Sequence, residues 1–184
     1  MENEHGEQKT TTADILFGSD GSFSAVRSEM QKTSRFSYSQ TYENYGYKEL
    51  EIVAGPDSSF QAEEHALHIW PRGEFMMIAL PNPGGNFTCT LFLPYEGERS
   101  FEKLQTPQEI EVFFKKYFAD AIPMMPNYVE DFMSNPTGSL VTIRCSPWVN
   151  KKFALIGDAA HAVIPFYGQG MNCSFEDVKE LDEI

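Results

Sequence analysis

The chain has 184 residues, of which 41% are hydrophobic and 22% charged, so it can form a packed core, and wholesale disorder is excluded. Its formal net charge of -13 argues against a nucleic-acid binder and disfavours adsorption to an anionic membrane. No apolar stretch approaches the roughly 20 residues that cross a bilayer, and residues 1–12 are too polar for a signal peptide. Three widely spaced cysteines indicate a reduced, cytoplasmic setting.

The first predicted elements are a buried strand at Ile15–Gly18 and, after a glycine turn, a short helix at Ser24–Met30. A short apolar run of this kind is typical of a parallel sheet that is covered on both faces. The next predicted strand is Tyr47–Val53. Proline- and glycine-containing turns then separate three strands, which predicts an antiparallel meander: Ala66–Trp70, Phe75–Leu80 and Phe87–Leu93.

A helix is predicted after Thr106, because threonine is a good N-cap, proline follows at the first helical position, and Glu109 stands three residues after the cap. Apolar residues then recur at helical spacing, so this helix should pack on the sheet. The remaining predicted elements are strands at Ser139–Cys145 and Phe153–Ile156 and a helix that begins near Met171.

Two strand-to-helix turns carry the residues that point to chemistry. The first places Asp20 and Gly21 directly after the strand at Ile15–Gly18. Such a turn offers free backbone N–H groups and a carboxylate at the carboxyl end of a sheet, where α/β proteins bind nucleotides. An Asp-Gly pair alone is a weak signal, because any tight turn can use one. The segment Ser24–Arg27 that follows makes the signal more specific.

The second turn is a stronger signal. Here a strand ends in Gly157 and Asp158, and the carboxylate could accept hydrogen bonds from a ribose hydroxyl. Gly168 and Gly170 carry no Cβ, so the backbone can approach a planar ligand closely. The helix that opens at Met171 directs its N–H groups and the positive end of its dipole toward that ligand, where they would stabilise a developing anion.

Together, the two turns resemble the Asp-Gly and Gly-Asp motifs of the class A flavoprotein aromatic hydroxylases, whose fold is that of para-hydroxybenzoate hydroxylase. Longer segments resemble one branch of that family, the kynurenine 3-monooxygenases. The resemblance covers about residues 14–177 and includes these segments: Gly46–Leu50, Leu67–Arg72, Phe75–Asn82, Phe87–Phe92 and Pro165–Asn172.

The resemblance implies FAD as cofactor, with NADPH and O2 as co-substrates, and hydroxylation of L-kynurenine to 3-hydroxykynurenine in tryptophan degradation. It implies that Asp20 lies near the FAD pyrophosphate and Asp158 at the ribitol or pyrophosphate. The other implied cofactor contacts are Gly168, Gly170, Met171 and Asn172. Because the cofactor performs the hard chemistry, no side chain is predicted to act as a nucleophile or general base.

The implied substrate contacts lie on the predicted meander and in the loop before the last helix: Leu67, Met76, Ile78, Leu80, Phe92, Pro165 and Phe166. Met76, Ile78 and Leu80 alternate along one strand and therefore point to one face of the sheet. This face would form an apolar slot for the aromatic ring. The alternative is that these side chains form the core between sheet and helix.

The predicted fold class is α+β with an α/β part. Residues 1–35 would belong to an FAD-binding, Rossmann-like domain, residues 36–150 to a substrate-binding domain with an antiparallel-to-mixed sheet, and residues 151–184 to the FAD-binding domain again. The family's N-terminal dinucleotide fingerprint and C-terminal helical part are not found, so we expect an internal fragment. A longer form could carry a C-terminal anchor in the mitochondrial outer membrane. The alternative functions are an inactive truncated module and a flavin hydroxylase of another aromatic compound.

Three further interpretations concern polar side chains. We expect His161 to be a structural histidine beside the second turn. Glu176 and Asp177, with the acidic residues after them, are interpreted as a solvated helix face. No metal site is expected, because His65 and His68 have no carboxylate or cysteine partner at suitable spacing.

Overall fold

A computed structural model describes residues 10–183 and divides them into two compact units. The discontinuous unit comprises the described residues up to Tyr42 together with those from Val141 onward, and the central unit is Glu43–Leu140. The strands are β1 (Leu16–Gly18), β2 (Ser37–Ile52), β3 (His68–Pro71), β4 (Met76–Pro81), β5 (Phe87–Pro94), β6 (Gly138–Ser146), β7 (Val149–Asn150) and β8 (Phe153–Leu155). The α-helices are α1 (Ala25–Met30), α2 (Pro107–Tyr117), α3 (Tyr128–Ser134), α4 (Asp158–His161) and α5 (Gly170–Asp182).

The predicted α+β class is confirmed. One sheet has five strands in the order β3-β4-β5-β2-β6, and β3, β4 and β5 form the predicted antiparallel meander. The other sheet has the order β1-β8-β7, in which β1 runs parallel and β7 antiparallel to β8. The main difference in the elements is β2, which is much longer than the strand predicted at Tyr47–Val53.

The predicted helix start at Thr106 is also confirmed, and it positions the helix that covers the five-stranded sheet. The Thr106 hydroxyl accepts from the Glu109 N–H while the Glu109 carboxylate accepts from the Thr106 N–H, which is a complete capping box. Helix α2 then buries one apolar side, as expected, against the face of the sheet that carries Met77 and Ala79. Helix α3 contributes Phe132 to the same core.

The burial predicted for β1 is wrong for the described chain. Ile15, Leu16 and Phe17 are 57%, 41% and 45% exposed. In the part of the chain that the structure describes, β1 pairs with β8 alone, so it is the edge of its sheet. Consecutive side chains of a strand point to opposite faces, so the exposure of all three means that the described residues leave both faces of the sheet largely uncovered here.

A buried lysine joins β2 to α3. The Lys48 Nζ donates to the backbone carbonyls of Phe132 and Asn135, at 3.0 and 2.9 Å, at the carboxyl end of α3. Helix carbonyls at this end lack intrahelical partners and carry the negative end of the dipole, so they stabilise the ammonium group. Burial nevertheless lowers the pKa of Lys48, because it penalises the charged form.

Asp131, on α3, leads to a prediction about pH. Its Oδ2 atom is buried without a hydrogen-bond partner in the described residues, and burial is the main reason that its pKa is raised. A raised folded-state pKa means that the charged form costs stability above that pKa. The cost disappears as the pH falls through the folded-state value toward about 3.9, the usual value for aspartate.

We therefore expect Asp131→Asn to increase the free energy of unfolding at pH 7, because the neutral amide removes the penalty for burying a charge at this position. The difference between variant and parent should shrink as the pH is lowered from 7 to 4, as measured by urea unfolding at each pH. Glu102→Gln, at an exposed position outside α3, is the control. A parent that matches or exceeds the variant in stability at pH 7 would contradict the prediction.

Candidate functional site

The carboxylate of Asp20 caps helix α1. It accepts hydrogen bonds from the Ser24 hydroxyl at 2.5 Å and from the backbone N–H groups of Ala25 and Val26 at 2.7 and 3.3 Å. Burial raises the pKa of this carboxyl, but these hydrogen bonds outweigh burial and leave the pKa below its usual value. Asp20 is thus held ionised at the start of α1, and its predicted contact with a cofactor stays a prediction.

Arg27 connects the two turns that the sequence singled out. Arg27 is buried, with only 3% of its surface exposed to solvent. The Nη2 atom donates to the Ser22 carbonyl at 2.5 Å in the first turn, and Nη1 donates to the Ala159 carbonyl at 2.7 Å in α4, directly after the second turn. The guanidinium also stacks on the Tyr38 ring, 4.9 Å from its centre. One side chain therefore sets the spacing between the two turns.

The second turn holds an exposed carboxylate beside the start of a helix. Gly157 ends the strand segment with a φ of +61°, and Asp158, which follows it, is exposed. The Asp158 Oδ1 atom lies 4.0 Å from the position that a Cβ on Gly170 would occupy. The structure thus brings Asp158 to the first residue of α5, although twelve residues separate them in the chain.

The start of α5 has the open geometry that its two glycines predict. Gly168 adopts a left-handed φ of +62°, and an added Cβ there would meet no described atom within 4 Å. Within residues 10–183, no side chain caps the first turn of α5. Met171 is exposed, and the Asn172 side chain donates to the Gln169 side chain at 3.2 Å. The first N–H groups of α5 are therefore available to an acceptor.

The interpretation of Asp177 as part of a solvated helix face is wrong. Its side chain is only 17% exposed, and Oδ2 accepts from the Gly157 N–H and from His161 Nε2, each at 2.7 Å. Acidic residues at neighbouring positions of a helix point in different directions, and Asp177 falls on the side that contacts the second turn. Its spacing of seven residues from Gly170, two helical turns, was the signal available in the sequence.

The predicted substrate residues of the central unit share the sheet face opposite the helices. Met76 pairs with Phe92 and Ile78 with Thr90 across β4 and β5, and the intervening Met77 and Ala79 point into the core with α2. Leu80 continues the alternation at the end of β4 and is 45% exposed. Leu67 precedes Ile69, the β3 partner of Ile78, by two residues. These side chains lie outside the core cluster that the helices share with the sheet, but Ile78 and Phe92 are themselves buried, at 5% and 2% exposed. Their place in a substrate site stays a prediction.

Pro165 and Phe166 belong to the discontinuous unit. They lie in a single 3-10 turn, Pro165–Tyr167, which leads into Gly168 and the start of α5. Their place in the substrate site stays a prediction.

In the described range, no helix combines the length and the apolar character that crossing a membrane requires.

Comparison with known proteins finds one family and closely similar relatives over nearly the whole chain. The FAD binding domain family matches residues 1–183. A protein named kynurenine 3-monooxygenase from Flavobacterium psychrophilum is 54% identical over 181 residues, which are 98% of this chain and 40% of that protein. A protein of the same name from Dictyostelium discoideum is 55% identical over 174 residues, 94% of this chain and 38% of that protein. The chain thus spans about two fifths of the length of these curated relatives.

Solved structures share the fold at low sequence identity. A tetrameric 2-methyl-3-hydroxypyridine-5-carboxylic acid oxygenase superposes with a TM-score of 0.70 at 21% identity, covering 98% of this chain and 46% of the other. Klebsiella pneumoniae HpxO, complexed with FAD and uric acid, gives a TM-score of 0.68 at 21% identity, with 96% and 43% covered.

Proposed function

We propose that this chain, which belongs to the FAD binding domain family, forms one side of a flavin site and the substrate-facing sheet of an FAD-dependent aromatic monooxygenase. The relatives named kynurenine 3-monooxygenase support L-kynurenine as the substrate and 3-hydroxykynurenine as the product. The proposed co-substrates are NADPH and O2. The proposed location is the cytoplasm, which the three free cysteines favour.

The single observation that carries the proposal is the second turn. An exposed Asp158 carboxylate stands beside the uncapped first residue of α5, within a segment free of bulky side chains at Gly168 and Gly170. A flavin dinucleotide presents hydroxyl groups that donate to a carboxylate and oxygen atoms that accept from helix N–H groups. The residues present therefore fit FAD.

In this proposal the chain binds and orients, and the bound cofactor supplies the redox chemistry and the activation of oxygen. Asp158 would hold a ribityl hydroxyl, and the N–H groups of Met171 and Asn172 would contact the ring system. Asp20 and Arg27 would act at the first turn, where the carboxylate and the guanidinium fix the backbone. These roles need no proton transfer by a side chain.

The sheet face with Met76, Ile78, Leu80 and Phe92 is proposed to receive the aromatic ring of the substrate. Phe92 is 2% exposed and packs near the Tyr47 ring, with 6.4 Å between ring centres, so it forms the floor of this face. Leu80 offers accessible apolar surface on the same side. An apolar surface of this kind excludes water from a flat aromatic ring and does not require hydrogen-bonding groups on the face of that ring.

The proposal can be tested in a chimera in which this chain replaces the matching 181 residues of the Flavobacterium psychrophilum relative. We expect the purified chimera to bind FAD and to convert L-kynurenine to the 3-hydroxy product with NADPH. A chimera that binds FAD but hydroxylates only other aromatic compounds would overturn the substrate assignment. A chimera that folds without binding FAD would overturn the flavin site.

Within this chimera, Leu80→Ala should raise the KM for kynurenine about threefold to tenfold, because a leucine truncation removes about 1 kcal/mol of apolar contact. The FAD dissociation constant and kcat should change little, since the lost contact is uniform binding surface. Val112→Ala, at an exposed position of α2, is the matched control. An unchanged KM in Leu80→Ala would exclude this face from the substrate site.

A further inference from the structure

We propose that Asp177 and His161 are positioning residues that hold the second turn and helix α5 in the arrangement FAD requires. This inference rests on the proposed flavin site. It starts from one atom, the Asp177 Oδ2, which accepts from the Gly157 N–H and from His161 Nε2, both at 2.7 Å. Because a carboxylate only accepts hydrogen bonds, the His161 Nε2 must carry the proton in this contact.

The two hydrogen bonds connect the parts of the turn that would touch the cofactor. Gly157 immediately precedes Asp158, and His161 ends helix α4, which begins at Asp158. Asp177 stands seven residues after Gly170, about 10 Å along α5. A single carboxylate oxygen thus fixes the position of the Asp158 backbone relative to the N-terminal turn of α5.

Packing restricts the movement of the Asp177 and His161 side chains. A Cβ added at Gly157 would stand 2.9 Å from the Ser174 hydroxyl, which itself donates to the Gly170 carbonyl. The Trp148 ring lies against the imidazole of His161, with 4.9 Å between ring centres. The imidazole and carboxylate are 19% and 17% exposed and line a groove of about 510 Å³ between α5 and the three-stranded sheet. The side chains are therefore oriented from several directions.

Removing the carboxylate charge should loosen this arrangement. Asp177→Asn keeps the size of the side chain, but a neutral amide oxygen accepts more weakly than a carboxylate, and its N–H₂ group competes for the same space. Without the ionised acceptor, the Gly157 N–H and His161 lose a shared partner. The Asp158 carboxylate then samples positions away from the start of α5, and FAD binding must restore the order at a cost in affinity.

The test combines two measurements. In the 184-residue chain, hydrogen exchange of amides 157–161 should be about tenfold faster in Asp177→Asn than in the parent. In the chimera described above, the FAD dissociation constant, measured by flavin fluorescence, should rise about tenfold. Glu180→Gln, one turn later on α5 and exposed, is the control and should change neither quantity.

His161 supplies a second pair of variants, in case Asp177→Asn folds poorly. His161→Gln retains a side-chain N–H donor and should bind FAD nearly as the parent does, whereas His161→Ala should bind severalfold more weakly. A role in packing alone would not distinguish donor from non-donor in this way. An FAD dissociation constant in Asp177→Asn within twofold of the parent, or equal losses in Glu180→Gln, would overturn the inference. A parent chimera that binds no FAD would instead overturn the proposed function and this role with it.

Discussion

Replacing Asp158 with alanine is expected to weaken FAD binding by one to two orders of magnitude. The carboxylate is exposed beside the first residue of α5, where it can accept from a cofactor hydroxyl. A hydrogen bond to a charged group contributes about 1.5–3 kcal/mol, which corresponds to a change of about 10-fold to 100-fold in the dissociation constant. Because an exposed side chain contributes little to packing, the fold should be retained.

The measurement is an FAD titration of the chimera, followed by flavin fluorescence. Asp182→Ala provides the matched control, since it removes an exposed carboxylate at the opposite end of the same helix. Circular dichroism establishes that both variants are folded. An Asp158→Ala chimera with the affinity of the parent would remove this residue from the flavin site.

Replacing Arg27 with methionine is expected to lower the free energy of unfolding of the discontinuous unit by about 3 kcal/mol, the sum of two hydrogen bonds from a charged donor at the low end of their range. Methionine fills similar space but donates nothing. The carbonyls of Ser22 and Ala159 would then lose the buried donor that joins the two turns. Both the first turn and α4 should be destabilised together.

Urea unfolding of the 184-residue chain can measure this effect through Trp148, which lies in the discontinuous unit, in a Trp70→Phe background. Arg144→Met, at an exposed position of β6, controls for the loss of one positive charge. Arg27→Lys should fall between parent and Arg27→Met, because a lysine ammonium cannot reproduce the planar fork that reaches two carbonyls. Equal stability of Arg27→Met and the parent would show that the bridge contributes nothing.

Two different sequence signals predicted the candidate residues of the two turns and those of the sheet face. Asp20, Asp158, Gly168 and Gly170 were predicted as site residues because turn chemistry is local: a strand end, a carboxylate and glycines follow one another within a few residues. The capping box at Thr106 was identified for the same reason. The shared face of Met76, Ile78 and Leu80 also followed from the period of two along a strand.

Asp177 and the exposure of β1 were predicted wrongly, and the bridging role of Arg27 was not predicted at all. The contacts of Arg27 and Asp177 join segments far apart in the chain: Arg27 reaches a carbonyl 132 residues away, and Asp177 an N–H group 20 residues away. The exposure of β1 depends on which segments fail to cover it. Hydrophobic periodicity records which side of an element is apolar, but it does not record which neighbour that side meets.

The sequence by itself therefore determined the antiparallel meander, the capped start of α2, the two turns with their carboxylates, and the family that the chain resembles, because these depend on residues close together in the chain. Only the tertiary structure decided which sheet face the helices cover, which acidic residue of α5 is held in a hydrogen-bonded pair, and which side chain joins the two turns. Those outcomes depend on how distant segments pack, since the partner of a buried polar group is set by the whole fold and not by its neighbours in sequence.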